Sequence, residues 1–215
     1  MTEGELRQAV VDTVRRMNTL GINQGTAGNA SIRFKDGMLI TPSAMSYEAM
    51  TGSDIVWMRL SDGKIKARGN LQPSSEWRFH RDILAARDDV DAVVHTHGRA
   101  AATLSCLHQD IPAFHYMVAV AGGDSIRCAP YALFGTQELS DNAVAALRER
   151  KACLLANHGL IACDSSLDKA LALALEVETL AEMYWRCLQV TRPAILSKGQ
   201  MAEVLKKFQT YGQPR

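Results

Sequence analysis

An excess of charge of either sign is missing from this sequence: 24 Lys and Arg stand against 23 Asp and Glu, a formal net charge of +1, and no long basic run breaks the balance. Nucleic acid and anionic membranes both call for a basic face, so neither is expected as a partner. Cysteine is sparse: Cys106, Cys128, Cys153, Cys163 and Cys187 are odd in number, scattered through apolar runs, and include no CxxC pair. They read as reduced structural thiols, the pattern of a cytoplasmic protein. The most apolar helical stretch, 171–188, is interrupted by Glu176, Glu178, Glu182 and Arg186, which excludes a membrane span. The opening residues Met1-Thr2-Glu3-Gly4-Glu5 are polar and acidic where a secretory signal is basic and then apolar, so no targeting peptide is expected. Internal repeats, low-complexity tracts, the Walker pattern and the dinucleotide fingerprint are absent as well.

What is present fits one compact domain over residues 1–215, with 47% hydrophobic residues to form a core. Thr2 and Glu5 form a capping-box pair ahead of Leu6, Val10, Val14, Met17 and Leu20, which together predict an amphipathic helix ending at Gly21. A Gly-rich turn at 24–29 leads into two short strands, 30–34 and 38–41, joined as a hairpin through Lys35-Asp36-Gly37. Further strands are predicted at 55–60, 92–97, 125–130 and 152–158. Helices are predicted from Ser75 onward and at 99–107, 137–150, 166–190 and 197–208. Hairpins mixed with alternating helices predict an α/β fold in which helices cover both faces of a partly antiparallel sheet.

The sharpest chemical signal is Val93-Val94-His95-Thr96-His97-Gly98. Residues two apart on a strand project from one face, so His95 and His97 stand side by side. Burying both without partners is costly, and a divalent cation satisfies both; a structural or surface pair is the alternative. His158, in Leu155-Ala156-Asn157-His158-Gly159, closes a second apolar strand and offers a third imidazole at the same sheet edge. Glu76 opens a helix behind Ser74 and Ser75. An acid there suits the helix dipole in any protein, yet the flanking hydroxyls and amides also suit a phosphate. Three histidines and a carboxylate make a good set for Zn²⁺, with Mn²⁺ or Co²⁺ as other candidates, and a carboxylate able to leave the metal can serve as a base. His80, His108 and His115 are not needed by this scheme and read as ordinary polar or supporting residues.

The segments Gly25-Thr26-Ala27-Gly28-Asn29 and Thr41-Pro42-Ser43-Ala44 carry small residues, hydroxyls and exposed amides. Either is a plain turn or an anion cradle. With Ser74 and Ser75 they suit a monophosphate better than a nucleoside triphosphate, because no Lys-rich cradle accompanies them.

Along almost the whole chain these motifs resemble the class II aldolase/adducin family: NQGTAGN at 23–29, DGMLITP at 36–42, PSSEWRFH at 73–80, VVHTH at 93–97, HYM at 115–117, AGG at 121–123, APYALFGT at 129–136, NHGLIAC at 157–163 and KFQTYG at 207–212. The resemblance implies a three-layer α/β/α fold with a mainly antiparallel central sheet. It implies that zinc is bound by Glu76, His95, His97 and His158, with Glu76 doubling as proton shuttle. It implies that Gly28, Asn29, Ser43, Ala44, Ser74 and Ser75 surround a phosphate, and that Tyr116 from a neighbouring subunit is the acid at the aldehyde oxygen. Phe134 and Tyr211 would shape the aldehyde pocket, and the assembly would be a homotetramer with sites between subunits. The implied reaction is reversible cleavage of a ketose 1-phosphate, either L-fuculose 1-phosphate or a 5-deoxy- or 5-methylthiopentulose 1-phosphate, to dihydroxyacetone phosphate and an aldehyde. The lysines sit mostly at turns and on polar helix faces, which argues against Schiff-base chemistry. Rival activities on the same scaffold are a pentulose-phosphate 4-epimerase, a methylthioribulose-1-phosphate dehydratase and a sugar-acid phosphate decarboxylase, with a non-catalytic adducin-like module as the non-enzymatic reading. Ala44 stands where the family pattern has glycine, and the segment 43–46 departs from the sugar-aldolase pattern, which leaves the aldehyde open.

Overall fold

The computed structural model describes residues 1–210. In chain order the elements are α1 (Glu3–Thr19), β1 (Asn29–Phe34), β2 (Gly37–Ile40), β3 (Val56–Arg59), β4 (Ile65–Lys66), α2 (Trp77–Ala86), β5 (Ala92–Thr96), α3 (Arg99–Ser105), β6 (Ile111–Pro112), β7 (Ser125–Ala129), α4 (Gln137–Ala146), β8 (Ala152–Leu155), β9 (Gly159–Asp164), α5 (Leu167–Val190) and α6 (Lys198–Gln209). The strands form one nine-stranded sheet in the order β4-β3-β2-β1-β5-β9-β8-β7-β6. Only β7 and β8 pair in parallel; the other neighbours are antiparallel.

The period-two alternation of the strands divides the core into two layers. Ala92 and Val94 of β5, Leu154 of β8 and Leu160 of β9 pack with α1, α3, α5 and α6 on one face of the sheet. On the other face Met38, Val93, Cys153 and Ile161 pack with Phe79, Ile83 and Leu84 of α2 and Leu139 and Ala143 of α4. The three-layer, mainly antiparallel expectation holds. The predicted capping pair of Thr2 with Glu5 is present at α1, and Ser197 with Gln200 caps α6 in the same way.

Several boundaries and elements differ from the sequence expectation. The strand predicted at 152–158 stops at Leu155, and residues 156–158 form the turn of a tight hairpin into β9, which was not foreseen. The segment Gly159–Asp164 is so apolar on both faces that no alternation marks it; β5 on one side and β8 on the other supply its pairing. The helix predicted to 150 ends at Ala146, and Tyr116–Ala121 forms a 3-10 turn.

The strand and the helix that deliver most of the polar site are tied together at the end away from it. Arg33 on β1 donates to the carbonyls of Leu84, Arg87 and Val90 at 2.7–3.0 Å and pairs with Asp91 at 3.0 Å. The guanidinium therefore closes off the orphan carbonyls at the end of α2. Replacing it by methionine keeps the length but strands those acceptors, and Arg33→Met is expected to lower stability by about 2–3 kcal/mol. Urea unfolding measures this; a change below about 0.5 kcal/mol would mean that water satisfies the carbonyls equally well.

Candidate metal centre

β5 delivers His95 from a fully buried position, and His97 follows one residue beyond the strand end. His158 arrives from the β8–β9 turn, where Gly159 is required because a Cβ there would stand 2.4 Å from the Thr96 carbonyl. Glu76, 5% exposed, is the N-cap residue of α2. One ligand atom from each of Glu76, His95, His97 and His158 lies within 4.8 Å of all the others. Among the described residues no second cluster of this kind occurs.

The distances suit a cation. His95 Nε2 is 2.9 Å from His97 Nε2 and 3.2 Å from Glu76 Oε2, and His158 Nε2 is 3.2 Å from Glu76 Oε1. A tetrahedral site with bonds of about 2.0–2.1 Å has ligand–ligand edges of about 3.3 Å. His95 Nδ1 lies 2.9 Å from the Leu160 carbonyl, which accepts only a proton, so this nitrogen carries the hydrogen and Nε2 keeps its lone pair for a metal. Glu76 Oε1 is buried and makes no hydrogen bond despite its nearness to His158. An orphaned carboxylate oxygen beside three imidazole nitrogens is what a bound cation resolves. The four residues fit a divalent metal.

Protonation states agree with that use. Burial pushes the Glu76 carboxyl up, but His95, His158 and the Asn29 amide outweigh it and hold the group below the usual carboxylate range. Burial and the neighbouring imidazoles push His97 down to about 3, and burial pushes His158 down to about 4. His80, buried completely, is pushed down to about 3. These rings are neutral near pH 7 and available as electron-pair donors.

The small-residue loops converge beside the ligands. Ser43 donates its amide to the Gln72 carbonyl at 3.0 Å and Ser74 its amide to the Thr41 carbonyl at 2.9 Å, which lays segment 41–43 against 72–74. The amides of Ser43 and Ser74, which the sequence offered to an anion, are thus committed to the backbone, and that of Glu76 donates to Ser74 Oγ at 3.3 Å. Ser43, Ala44 and Ser75 remain exposed. Tyr47, which sequence reasoning passed over, is buried and donates its hydroxyl to the Gly28 carbonyl, tying the first loop to the second. Gly28 sits so close that a Cβ would stand 2.4 Å from the His95 carbonyl. Asn29 is buried, and its side-chain amide reaches Glu76 Oε2 at 2.9 Å.

A cavity of about 300 Å³ opens on Glu76, His97 and His158, with Ser75, Tyr131 and Phe134 around it. A larger cavity of about 690 Å³ also touches His97, but it holds none of the other three ligands. The smaller one is therefore the cavity on which three of the four candidate ligands open. Phe134 is 62% exposed at its rim. Tyr116 is 49% exposed, lies tilted against the rings of His115 and Phe208, and does not line either cavity. Tyr211 lies outside the described residues. His108 holds Asn157, the left-handed residue (φ 53°) that precedes His158, through a side-chain hydrogen bond.

Fold and site together define a divalent-metal protein on an antiparallel-sheet α/β/α scaffold. The family described as Class II Aldolase and Adducin N-terminal domain matches residues 8–185. A 5-methylthioribulose-1-phosphate/5-deoxyribulose-1-phosphate aldolase of Rhodospirillum rubrum is 56% identical over 207 residues, covering 96% of this chain and 92% of that protein. An L-fuculose phosphate aldolase of Escherichia coli is 52% identical over 213 residues, covering 99% of this chain and 98% of that one. A solved L-fuculose 1-phosphate aldolase superposes with a TM-score of 0.92 at 37% identity, covering 97% and 98% of the two chains. The chain belongs to the class II aldolase and adducin family.

Two outcomes follow from this geometry. Ala44 has φ 55°, the left-handed region that costs a non-glycine residue about 1–2 kcal/mol. Glycine relieves that strain while adding unfolded-state entropy, so Ala44→Gly is expected to raise stability by about 1 kcal/mol in urea unfolding, and a loss would contradict this backbone conformation. The second concerns pH. Below their usual value near 6.5, His80, His97 and His158 bind protons more readily in the unfolded chain than in the fold. The metal-free protein therefore loses stability as pH falls from about 6.5 toward 4, and its melting temperature should drop clearly between about pH 7.5 and pH 5. A flat profile would contradict burial of neutral rings.

Proposed function

We propose that this protein cleaves a ketose 1-phosphate reversibly to dihydroxyacetone phosphate and an aldehyde, using zinc held by Glu76, His95, His97 and His158. The observation that carries this reading is the convergence of three imidazole nitrogens and a buried, unbonded carboxylate oxygen at one point, where Glu76, His97 and His158 open on a cavity. Zinc bound there supplies a Lewis acid for the negative charge that develops on substrate oxygens as the carbon–carbon bond breaks.

The chain's own residues supply position and protons. Exposed Ser43 and Ser75 and the backbone around Gly28, Asn29, Ala44 and Ser74 would hold the phosphate, and the tie from Tyr47 to Gly28 keeps two of those segments in register. Glu76, ionised beside the imidazoles, moves a proton at the carbon that separates from the aldehyde. Tyr116 of the partner subunit exchanges the proton on the aldehyde oxygen, taking it in cleavage and returning it in synthesis. Exposure of Tyr116 and its absence from its own chain's cavity lining support that assignment, and with it a homotetramer whose sites lie between subunits. Phe134, with Tyr131 beside it, offers an apolar wall to the aldehyde, as Tyr211 would. An apolar wall suits the methyl or methylthio end of L-fuculose 1-phosphate and of the 5-deoxy- and 5-methylthiopentulose 1-phosphates alike. These are the substrate classes that the similar proteins' names carry.

On the same reading residues 1–215 form a single catalytic unit, which the continuous sheet supports. The enzyme would work in the cytoplasm; its cysteines are free, and among the described residues no helix is long and apolar enough to cross a membrane.

Zinc-loaded protein incubated with these ketose 1-phosphates is expected to release dihydroxyacetone phosphate, followed by a coupled reductase assay. Glu76→Gln should retain some zinc yet lose about 100-fold or more in kcat, since it can no longer carry a proton. Unchanged turnover in that variant, or epimerised or dehydrated products without dihydroxyacetone phosphate, would overturn the assignment.

A further inference from the structure

Behind Glu76 runs a chain of hydrogen bonds that reaches no substrate. Asn29 Nδ2 donates to Glu76 Oε2 at 2.9 Å; Asn29 Oδ1 lies 2.5 Å from His80 Nε2; His80 Nδ1 lies 2.8 Å from Ser31 Oγ. The elements dictate this meeting. Asn29 and Ser31 are two apart on β1 and so share a face, opposite His95 and Val93 of β5. Glu76 and His80 are four apart at the start of α2, one helical turn, and so share a side. The strand pair and the helix pair interlock, and His80 is 0% exposed between them. Its ring stacks on Phe79 at 4.7 Å, and Phe79 in turn meets His95 edge-on at 5.4 Å.

The directions of the bonds follow from one fixed point. An ionised carboxylate only accepts, so Asn29 must present its NH₂ to Glu76. Its carbonyl oxygen then faces His80, which must present Nε2–H, and Nδ1 is left to accept from the Ser31 hydroxyl. Without a donor at the His80 position, the Asn29 oxygen is left buried without a partner, and the amide is no longer held firmly against Oε2. With the donor in place, Oε2 is held and Oε1 is the oxygen without a hydrogen bond.

We propose that His80 is a positioning residue: through the Asn29 amide it decides which oxygen of Glu76 is held by the protein and which is left for the cation. The inference rests on the metal-site reading above and adds to it a residue that touches neither ligand nor substrate.

Two substitutions separate this from mere packing. Glutamine places its amide nitrogen where His80 Nε2 stands and keeps the donor to Asn29. Asparagine reaches only to the position of Nδ1, keeping a partner for Ser31 and losing that donor. Both are polar and smaller than histidine, so a packing role would damage the asparagine variant no more than its lower melting temperature accounts for. The measurements are zinc affinity by chelator competition, the visible absorption of the Co²⁺-substituted protein, and kcat and KM for the ketose 1-phosphate. His80→Asn should weaken zinc binding or lower kcat by about 10-fold or more and shift the Co²⁺ bands, with KM changed less than about 3-fold. His80→Gln should stay within about 3-fold of the parent in each and keep its spectrum. Equal behaviour of the two variants, or the reverse order, overturns the proposal. If the parent binds zinc tightly but releases no dihydroxyacetone phosphate, the aldolase reading fails, while the order of zinc affinities and the Co²⁺ spectra still decide the role of His80.

Discussion

Four electron-pair donors crowd together at one edge of this sheet. His95 Nε2 and His97 Nε2 stand 2.9 Å apart, and the tautomer imposed on His95 by the Leu160 carbonyl leaves its Nε2 without a hydrogen. Glu76 adds a carboxylate within 3.2 Å of two of the rings. Such a cluster is repulsive unless a cation or a proton sits among the donors, and burial makes the repulsion stronger. The rest of the architecture follows from having to hold it. Strands from three parts of the chain pair so that their ends coincide, a glycine lets the β8–β9 turn close on the β5 end, and a helix aims its first residue at the same point.

Each layer contributes a different kind of control. The sheet sets the spacing of the imidazoles, because β1, β5 and β9 are adjacent and in fixed register. The α2 side supplies the carboxylate and, one turn later, the buried His80 that orders the hydrogen bonds behind it. The small-residue loops beside the site are pinned by main-chain bonds between 41–43 and 72–74 and by the buried Tyr47. The strained Ala44 lies in this last group, where a left-handed backbone exposes a loop position without a glycine.

Much of the site was legible because the donors carry their own spacing. An HxH pair on a strand declares a shared face, and His158 and Glu76 each close or open an element beside small residues. Other parts left no mark. His80 looks like any polar residue on a helix, since its partners Asn29 and Ser31 come from a strand some fifty residues away. Tyr47 passes for an ordinary aromatic until its hydroxyl is seen on the Gly28 carbonyl. β9 escaped notice because a central strand, apolar on both faces, has no alternation to read. The amides of Ser43 and Ser74 looked free because the carbonyls that occupy them belong to a segment some thirty residues away.

Local order by itself determined the capped helices, the hairpin of β1 and β2, the paired imidazoles at the end of β5 and the near balance of charge. These depend on periodicity and on neighbours within a turn or a strand, which any stretch of chain carries with it. Only the tertiary structure decided that β9 lies between β5 and β8, that four candidate ligands from three segments share one point, that Tyr116 is absent from the lining of its own chain's cavity, and that the Asn29 amide bridges Glu76 and His80. Those outcomes require residues far apart in sequence to exclude water together, and the strength and direction of a buried hydrogen bond exist only once both partners have arrived.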